Sequence, residues 1–456
     1  MIAGLKPYSE YKDSGLPWLG KVPGHWGMRR TKVLLRERVE KGFPNEPLLA
    51  ATQSKGVVRK EDYGTRTVTA QKDFHLLKLV EVGDFVISLR SFEGGIEVAH
   101  SRGIISPAYT VLEPRLKATS GYLRHFFKSP VFISSLTLFV TGIREGQNID
   151  YERLSRAFLP LPHDDEQAAI VRFLDHATHS LDKAIRAKRK TIALLNEQKQ
   201  AIIHRAVTRG LDPDVPLKDS GIPWLGQIPA HWGSLRCRYL FREVDSRSLL
   251  GEETHLSMSQ KLGLVPSSMI ERRTLISASY AGAKLCEVDD LVLNRLKAHL
   301  GVFARARDSG VISPDYTVLR KTRPMAVEYF EHVLRSPACR GELRIRAKGL
   351  VEGFWRLYTN DFYDIRLPVP PHEEQMHIVN GLHGATNEIT VTMQRIEREI
   401  DLLREYRTRL IADVVTGKLD VREAAARLPE VEDAPADEPE LAEMEESGEE
   451  LPEEEA

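Results

Sequence analysis

One pattern is written twice in this chain, and the duplication limits the available folds more than any other feature. Residues 12–27, KDSGLPWLGKVPGHWG, return at 218–233 as KDSGIPWLGQIPAHWG, with twelve of sixteen positions identical. Gly103-Ile-Ile-Ser-Pro-Ala-Tyr-Thr-Val111 returns as Gly310-Val-Ile-Ser-Pro-Asp-Tyr-Thr-Val318. Leu159-Pro-Leu-Pro162 with Glu166-Gln167 returns as Leu367-Pro-Val-Pro370 with Glu374-Gln375. The offset drifts only from 206 to 208 between the first landmark and the last. Such a repeat predicts two similar domains around a pseudo-two-fold axis. That symmetry suits a partner with two-fold character of its own, of which duplex DNA is the commonest.

Each copy reads as a mixed α+β domain followed by a long helix. Short β-type runs such as Asp84-Phe-Val-Ile-Ser88, Tyr109-Thr-Val-Leu112 and Leu291-Val-Leu-Asn294 alternate with helical stretches at 119–128 and 326–335. The Leu-Pro-x-Pro segments end the domains, because proline blocks continuation of a strand or helix. The period then changes. Ile170, Leu174, Ala177, Leu181, Ile185, Lys188, Ile192, Leu195, Lys199 and Ile202 step by three and four residues, and so do Ile378, Leu382, Ala385, Ile389, Met393, Ile396, Ile400, Leu403, Arg407 and Leu410. Both series carry an extra four-residue step at the same place, which predicts that the two helices pack on one another as a coiled coil. Each is roughly 60 Å long at 1.5 Å per residue. An antiparallel pairing sets the two domains at opposite ends of a rod.

Charge is partitioned as sharply as structure. Residues 419–456 carry −14, so the remaining 418 residues carry +13 although the whole chain is at −1. A basic body fits a phosphate-binding protein, while the Pro-containing acidic tail buries too little apolar surface to fold. The three cysteines, Cys237, Cys286 and Cys339, have no metal-ligand spacing and read as reduced thiols. No signal peptide or run of eighteen apolar residues is present, so a cytoplasmic protein with no membrane partner is expected.

No constellation of catalytic residues stands out. Gly15-Leu-Pro-Trp-Leu-Gly20-Lys21 imitates a phosphate-binding loop, but Val22 replaces the magnesium-binding hydroxyl and Gln227 replaces the lysine in the second copy. His25 and His231, each beside a tryptophan, read as structural. Metal ligands are absent from the pattern. Binding residues are better represented. The copies diverge most at about 31–82 and 237–288, where donor-rich loops present Gln53, Lys55, Arg59 and Arg66 in one copy and Gln260, Lys261, Arg272 and Arg273 in the other. Arg90, Arg295 and Lys297 follow a β-run, and Arg144 lies in the loop Gly142–Gly146, which has a counterpart at Gly349–Gly353. These side chains can read purine edges or neutralise phosphates. A common scaffold with differing loops suits two readers of two short sequences.

Taken together, KDSGxPWLGxxPxHW at each domain start, G-[IV]-I-S-P-x-Y-T-V, Leu-Pro-x-Pro followed by Glu-Gln-x-x-Ile, and Asp290-Leu-Val-Leu-Asn-Arg-Leu-Lys297 closely resemble the specificity (S) subunits of type I restriction–modification systems, almost continuously over residues 12–418. The resemblance implies target-recognition domains at 1–161 and 211–369 and spacer helices at 162–210 and 370–418; the acidic tail at 419–456, expected from its composition to be disordered, lies outside the family pattern. It also implies a non-catalytic, DNA-reading chain. Its partners are two methyltransferase (M) subunits, which hold S-adenosylmethionine and methylate adenine at N6, and motor-nuclease (R) subunits, which use ATP and magnesium. The chain itself would hold no cofactor. A stand-alone DNA-binding regulator and a purely protein-binding scaffold are the alternatives. The first binds its site without a partner; the second shows no log–log dependence of binding on salt.

Overall fold

The structure is a computed structural model that describes residues 5–63, 73–89, 91–141, 148–259, 262–270, 279–349 and 355–429. Two compact units divide the chain: Met1–Arg189 with Arg398–Ala456, and Lys190–Glu397. Each holds one copy of the repeat.

In the first unit the centre is a four-stranded antiparallel sheet in the order Leu35–Arg38, Thr110–Pro114, Phe85–Ile87, Glu97–Val98. The second unit repeats it as Phe241–Val244, Tyr316–Lys321, Leu291–Asn294, Phe303–Arg305. Successive side chains of a strand point to opposite faces, and here both faces are covered. Phe85, Ile87 and Leu112 join a core with the helices, whereas Val86 and Val111 join a small core under the hairpin Leu49–Thr52/Gly56–Arg59. Leu291, Leu293 and Leu319 divide from Val292 and Val318 in the same way in the second unit. This double burial explains why the β-runs are continuous and apolar.

The repeated motifs have structural work to do. KDSG forms a hairpin turn in which Asp13 Oδ1 accepts from Gly15 N at 2.8 Å and Asp219 Oδ1 from Gly221 N at 2.9 Å. Gly103 and Gly310 are required by close approach: a Cβ would stand 2.3 Å from the carbonyl oxygen of Pro47 or Thr254. The buried Lys78 donates to Tyr109 O at 2.8 Å and the buried Lys284 to Tyr316 O at 2.9 Å, pinning the Ser-Pro-x-Tyr turn in each unit. The Leu-Pro-x-Pro segments differ from the sequence reading. They do not break the fold off but form strands, Phe158–Leu161 on Gly27–Arg30 and Arg366–Val369 on Gly233–Arg236. A two-stranded edge tolerates proline because its missing N–H need not enter a ladder.

The long helices span Asp164–Arg209 and His372–Val415. All ten seam positions of the first helix are buried or half-buried; in the second, Ala385 alone is exposed. There the half-buried position is Thr386, whose hydroxyl returns to Leu382 O at 2.8 Å. The polar seam residues find partners. Within the first unit Lys188 pairs with Glu399, and Arg407 with Asp182 at 3.0 Å; within the second, Lys199 donates to Thr390 at 2.9 Å. Residue numbers rise on one helix as they fall on the other.

Residues 419–429 correct the assignment of the tail. Asp420 N donates to Lys6 O at 2.8 Å, Arg422–Ala426 is helical, and Val421 and Ala425 are buried in the first unit's core. Five apolar residues, Leu419, Val421, Ala424, Ala425 and Leu428, suffice because the stretch docks on a surface already formed. Residues 430–456 lie outside the described residues.

Candidate nucleic-acid interface

The donor-rich loops of the two copies stand at equivalent places. In the first unit, Gln53-Ser54-Lys55 is the tip of the hairpin Leu49–Thr52/Gly56–Arg59; in the second, residues 260–262 close the hairpin Leu256–Ser259/Gly263–Pro266. Each is a three-residue loop ending on a left-handed glycine, with φ +71° at Gly56 and +76° at Gly263, the geometry such loops favour. A hydroxyl steadies each tip: Thr52 Oγ1 accepts from Lys55 N at 3.0 Å, and Ser259 Oγ from Leu262 N at 3.3 Å. Gln53 is the first residue of its tip, and in sequence Gln260 follows it by 207 residues, the offset of the repeat.

Of the predicted binding residues, Gln53, Lys55, Arg59, Arg295 and Lys297 are described; Arg66, Arg90, Arg144, Gln260, Lys261, Arg272 and Arg273 lie outside the described residues, as do residues 142–147 and 350–354. Gln53 is exposed and Lys55 half-buried at the tip. Arg59 is exposed but sits at the far end of the hairpin, opposite Leu49 and 3.8 Å from Glu61, about 10 Å of strand away from the tip. The structure does not bring it beside Gln53. Arg295 and Lys297 are half-buried in the turn after Leu291–Asn294, where Asn294 Oδ1 accepts from Lys297 N at 3.3 Å. The buried Arg295 Nε has no hydrogen-bond partner among the described residues.

Sequence reasoning missed the residue that seats the first tip. Lys128 Nζ donates to Gln53 O at 3.0 Å, Gly94 O at 2.8 Å and Glu97 Oε1 at 2.5 Å, tying the tip to the helix Ser91–Gly94 and to the sheet's edge strand. The Gln53 side chain lies on Gly94, where a Cβ would stand 2.7 Å from it. Glu97 is 4% exposed; burial pushes its carboxyl up to about 7, with Lys128 drawing it back down. Arg335 occupies the matching position in the second unit and donates to Phe303 O at 2.7 Å. The signal was legible. His125-Phe-Phe-Lys128-Ser-Pro130 repeats as His332-Val-Leu-Arg335-Ser-Pro337, and each Ser-Pro starts a helix whose Ser hydroxyl caps it.

Under each sheet a buried aspartate orders the turn ahead of the central strand. Asp84 accepts from Glu81 N and Asp290 from Glu287 N. Their cations come from different strands: Arg38 Nε at 2.8 Å in the first unit, and Arg320 Nε at 2.9 Å from the neighbouring strand in the second. Burial raises the Asp84 carboxyl, opposed by these hydrogen bonds. One frame thus holds the same Asp–Arg pair with the arginine drawn from a different strand in each unit.

A two-stranded ribbon is narrow enough for the major groove of B-form DNA, and a glutamine amide at its tip offers a donor and an acceptor to adenine. Among the described residues no group of three His, Cys, Asp or Glu side chains is placed to hold a metal ion, and no helix is long and apolar enough to cross a membrane.

No protein-family model matches the chain, and no curated protein matches it significantly in sequence. Solved structures do match in fold. A chain from a structure concerned with complex assembly and conformational transition of the type I R-M system superposes with a TM-score of 0.60 at 15% identity, covering 86% of this chain and 98% of that one. The HsdS subunit from Thermoanaerobacter tengcongensis (15% identity, 87% and 98% covered, TM-score 0.42) and the type I restriction–modification S subunit from M. genitalium (11%, 90% and 98%, TM-score 0.33) are more distant. The first likeness defines the class: this chain has a fold found in type I restriction–modification systems. More particularly, it combines mixed helices and strands with two long helices, Asp164–Arg209 and His372–Val415.

Proposed function

We propose that this chain is the DNA sequence-recognition subunit of a cytoplasmic type I restriction–modification complex, with no catalytic site of its own. Domains 1–161 and 211–369 each read one half of an asymmetric, split target. Helices 162–210 and 370–418 form an antiparallel coiled coil that sets the gap, with half-site centres about one turn of duplex apart, on the order of 35 Å. Two methyltransferase subunits, holding S-adenosylmethionine, and motor-nuclease subunits, using ATP and magnesium, dock on this frame.

The observation that carries the reading is the pair of equivalent hairpins. Each packs over its own unit's four-stranded sheet through a small apolar core, and the residues around the two hairpins differ between the copies. Readers of two different half-sites need that combination. The opposed numbering of the helix contacts supports the ruler.

The test is a genome-wide map of N6-methyladenine made with this chain and its cognate methyltransferase expressed together, then with the methyltransferase alone. A split motif that depends on this chain is expected. No dependent methylation, with both proteins folded and associated, favours a stand-alone binder or scaffold.

A further inference from the structure

The first long helix carries a stripe of Arg, Lys and His side chains that the repeat does not share. Arg172, His176, His179, Lys183 and Arg186 step by four and three residues, which places them on one helix face. Arg172 is half-buried and the other four are exposed. At the matched positions of the second helix stand Asn380, Gly384, Asn387, Val391 and Gln394.

The start of the stripe is also where the acidic segment departs. Arg172 Nη2 donates to Leu428 O at 2.6 Å and to Pro429 O at 3.1 Å. Residues 430–456 then carry fourteen carboxylates and no lysine or arginine. Arg172 to Arg186 spans about 21 Å of helix. Twenty-seven residues reach several times that distance when extended. We infer that residues 430–456 dock in cis along the Arg172–Arg186 face of the first helix, as an internal polyanion that covers this stripe. Two features select this occupant over a nucleic acid. Of the two long helices, the stripe is present only on the one beside which the acidic segment departs, and its first arginine holds the point of departure. The inference does not depend on the DNA-reading proposal.

Zero-length carbodiimide coupling on the full chain tests it, because amide bonds form only between carboxylates and lysines in contact. Trypsin leaves 428–456 as one peptide, since Arg427 is the last cleavable residue. The expected product joins this peptide to Lys183. In a mixture of isotopically light and heavy protein it joins within one molecule. The yield falls at least about fivefold in H179E/R186E, and likewise between about 0.05 and 0.5 M salt. The control N387E/Q394E on the second helix leaves it unchanged. No coupling to Lys183, a yield unaffected by H179E/R186E, coupling chiefly between light and heavy molecules, or coupling instead to Lys55 at the hairpin tip would each overturn the inference.

Discussion

Glu166 holds Trp26 from 140 residues away: its Oε1 accepts the indole N–H at 3.0 Å, and its Oε2 meets His25 Nε2 at 2.7 Å. In the second unit Glu374 holds Trp232 at 3.0 Å and His231 at 2.8 Å. The next residue of each helix completes the joint, with Gln167 Nε2 donating to Pro162 O and Gln375 Nε2 to Pro370 O, both at 2.9 Å. The repeated His-Trp and Glu-Gln pairs are therefore two halves of one joint between domain and helix.

The joints differ in strength. Glu166 also accepts from Tyr8 OH at 2.7 Å and its side chain is 5% exposed, against 29% for Glu374, which accepts from no tyrosine among the described residues. E166Q, which turns an amide N–H toward donors, should cost about 2–3 kcal/mol, and E374Q about 1 kcal/mol. Denaturant midpoints followed by tryptophan fluorescence measure both; equal losses would contradict the asymmetry.

The Glu97–Lys128 clamp should leave a pH signature. The folded carboxyl titrates near 7, above its unfolded value of 4.5. The folded state thus keeps a proton that the unfolded chain has already released. The contribution is complete below about 4.5 and is lost as pH rises through about 7. Stability relative to E97Q should fall by up to about 3 kcal/mol between pH 4.5 and 8. A difference that stays flat across that window would show that Glu97 ionises normally.

Close approach at the repeated glycines gives a steric prediction. G103A and G310A each force a Cβ to 2.3 Å from a carbonyl oxygen. Each should destabilise its own unit by more than about 2 kcal/mol. Thermal unfolding of the single variants would show it.

The hairpin tips should separate the half-sites. Q53A should relax one position of one half-site and Q260A one position of the other, each costing about 1–3 kcal/mol of discrimination. K128A should weaken the first half-site as Q53A does, with K128R restoring part of the effect. Methylome motifs from co-expressed variants are the readout, and a change in both half-sites from Q53A would undo the assignment.

Matched deletion of one turn, residues 189–192 with 397–400, should alter the gap between half-sites and leave both half-sites as they were. A domain exchange at Leu211 should change one half-site only. Methylated motifs decide both.

Sequence alone determined what depends on near neighbours. The duplication, the strand runs around 84–88 and 291–294, and the two heptad-like seams were all legible, because side-chain period and turn chemistry are set within a few residues. It also pointed to the loop of the hairpin Leu49–Thr52/Gly56–Arg59, at whose tip Gln53 and Lys55 stand. Only the tertiary structure decided the rest. It joined Glu166 to Trp26, set Lys128 beneath Gln53, parted Arg59 from the tip, and folded residues 419–429 onto the first unit. Each of these contacts closes a long loop or faces a surface made by several segments. A carboxylate or a lysine carries no local sign of the partner that such a path will bring to it.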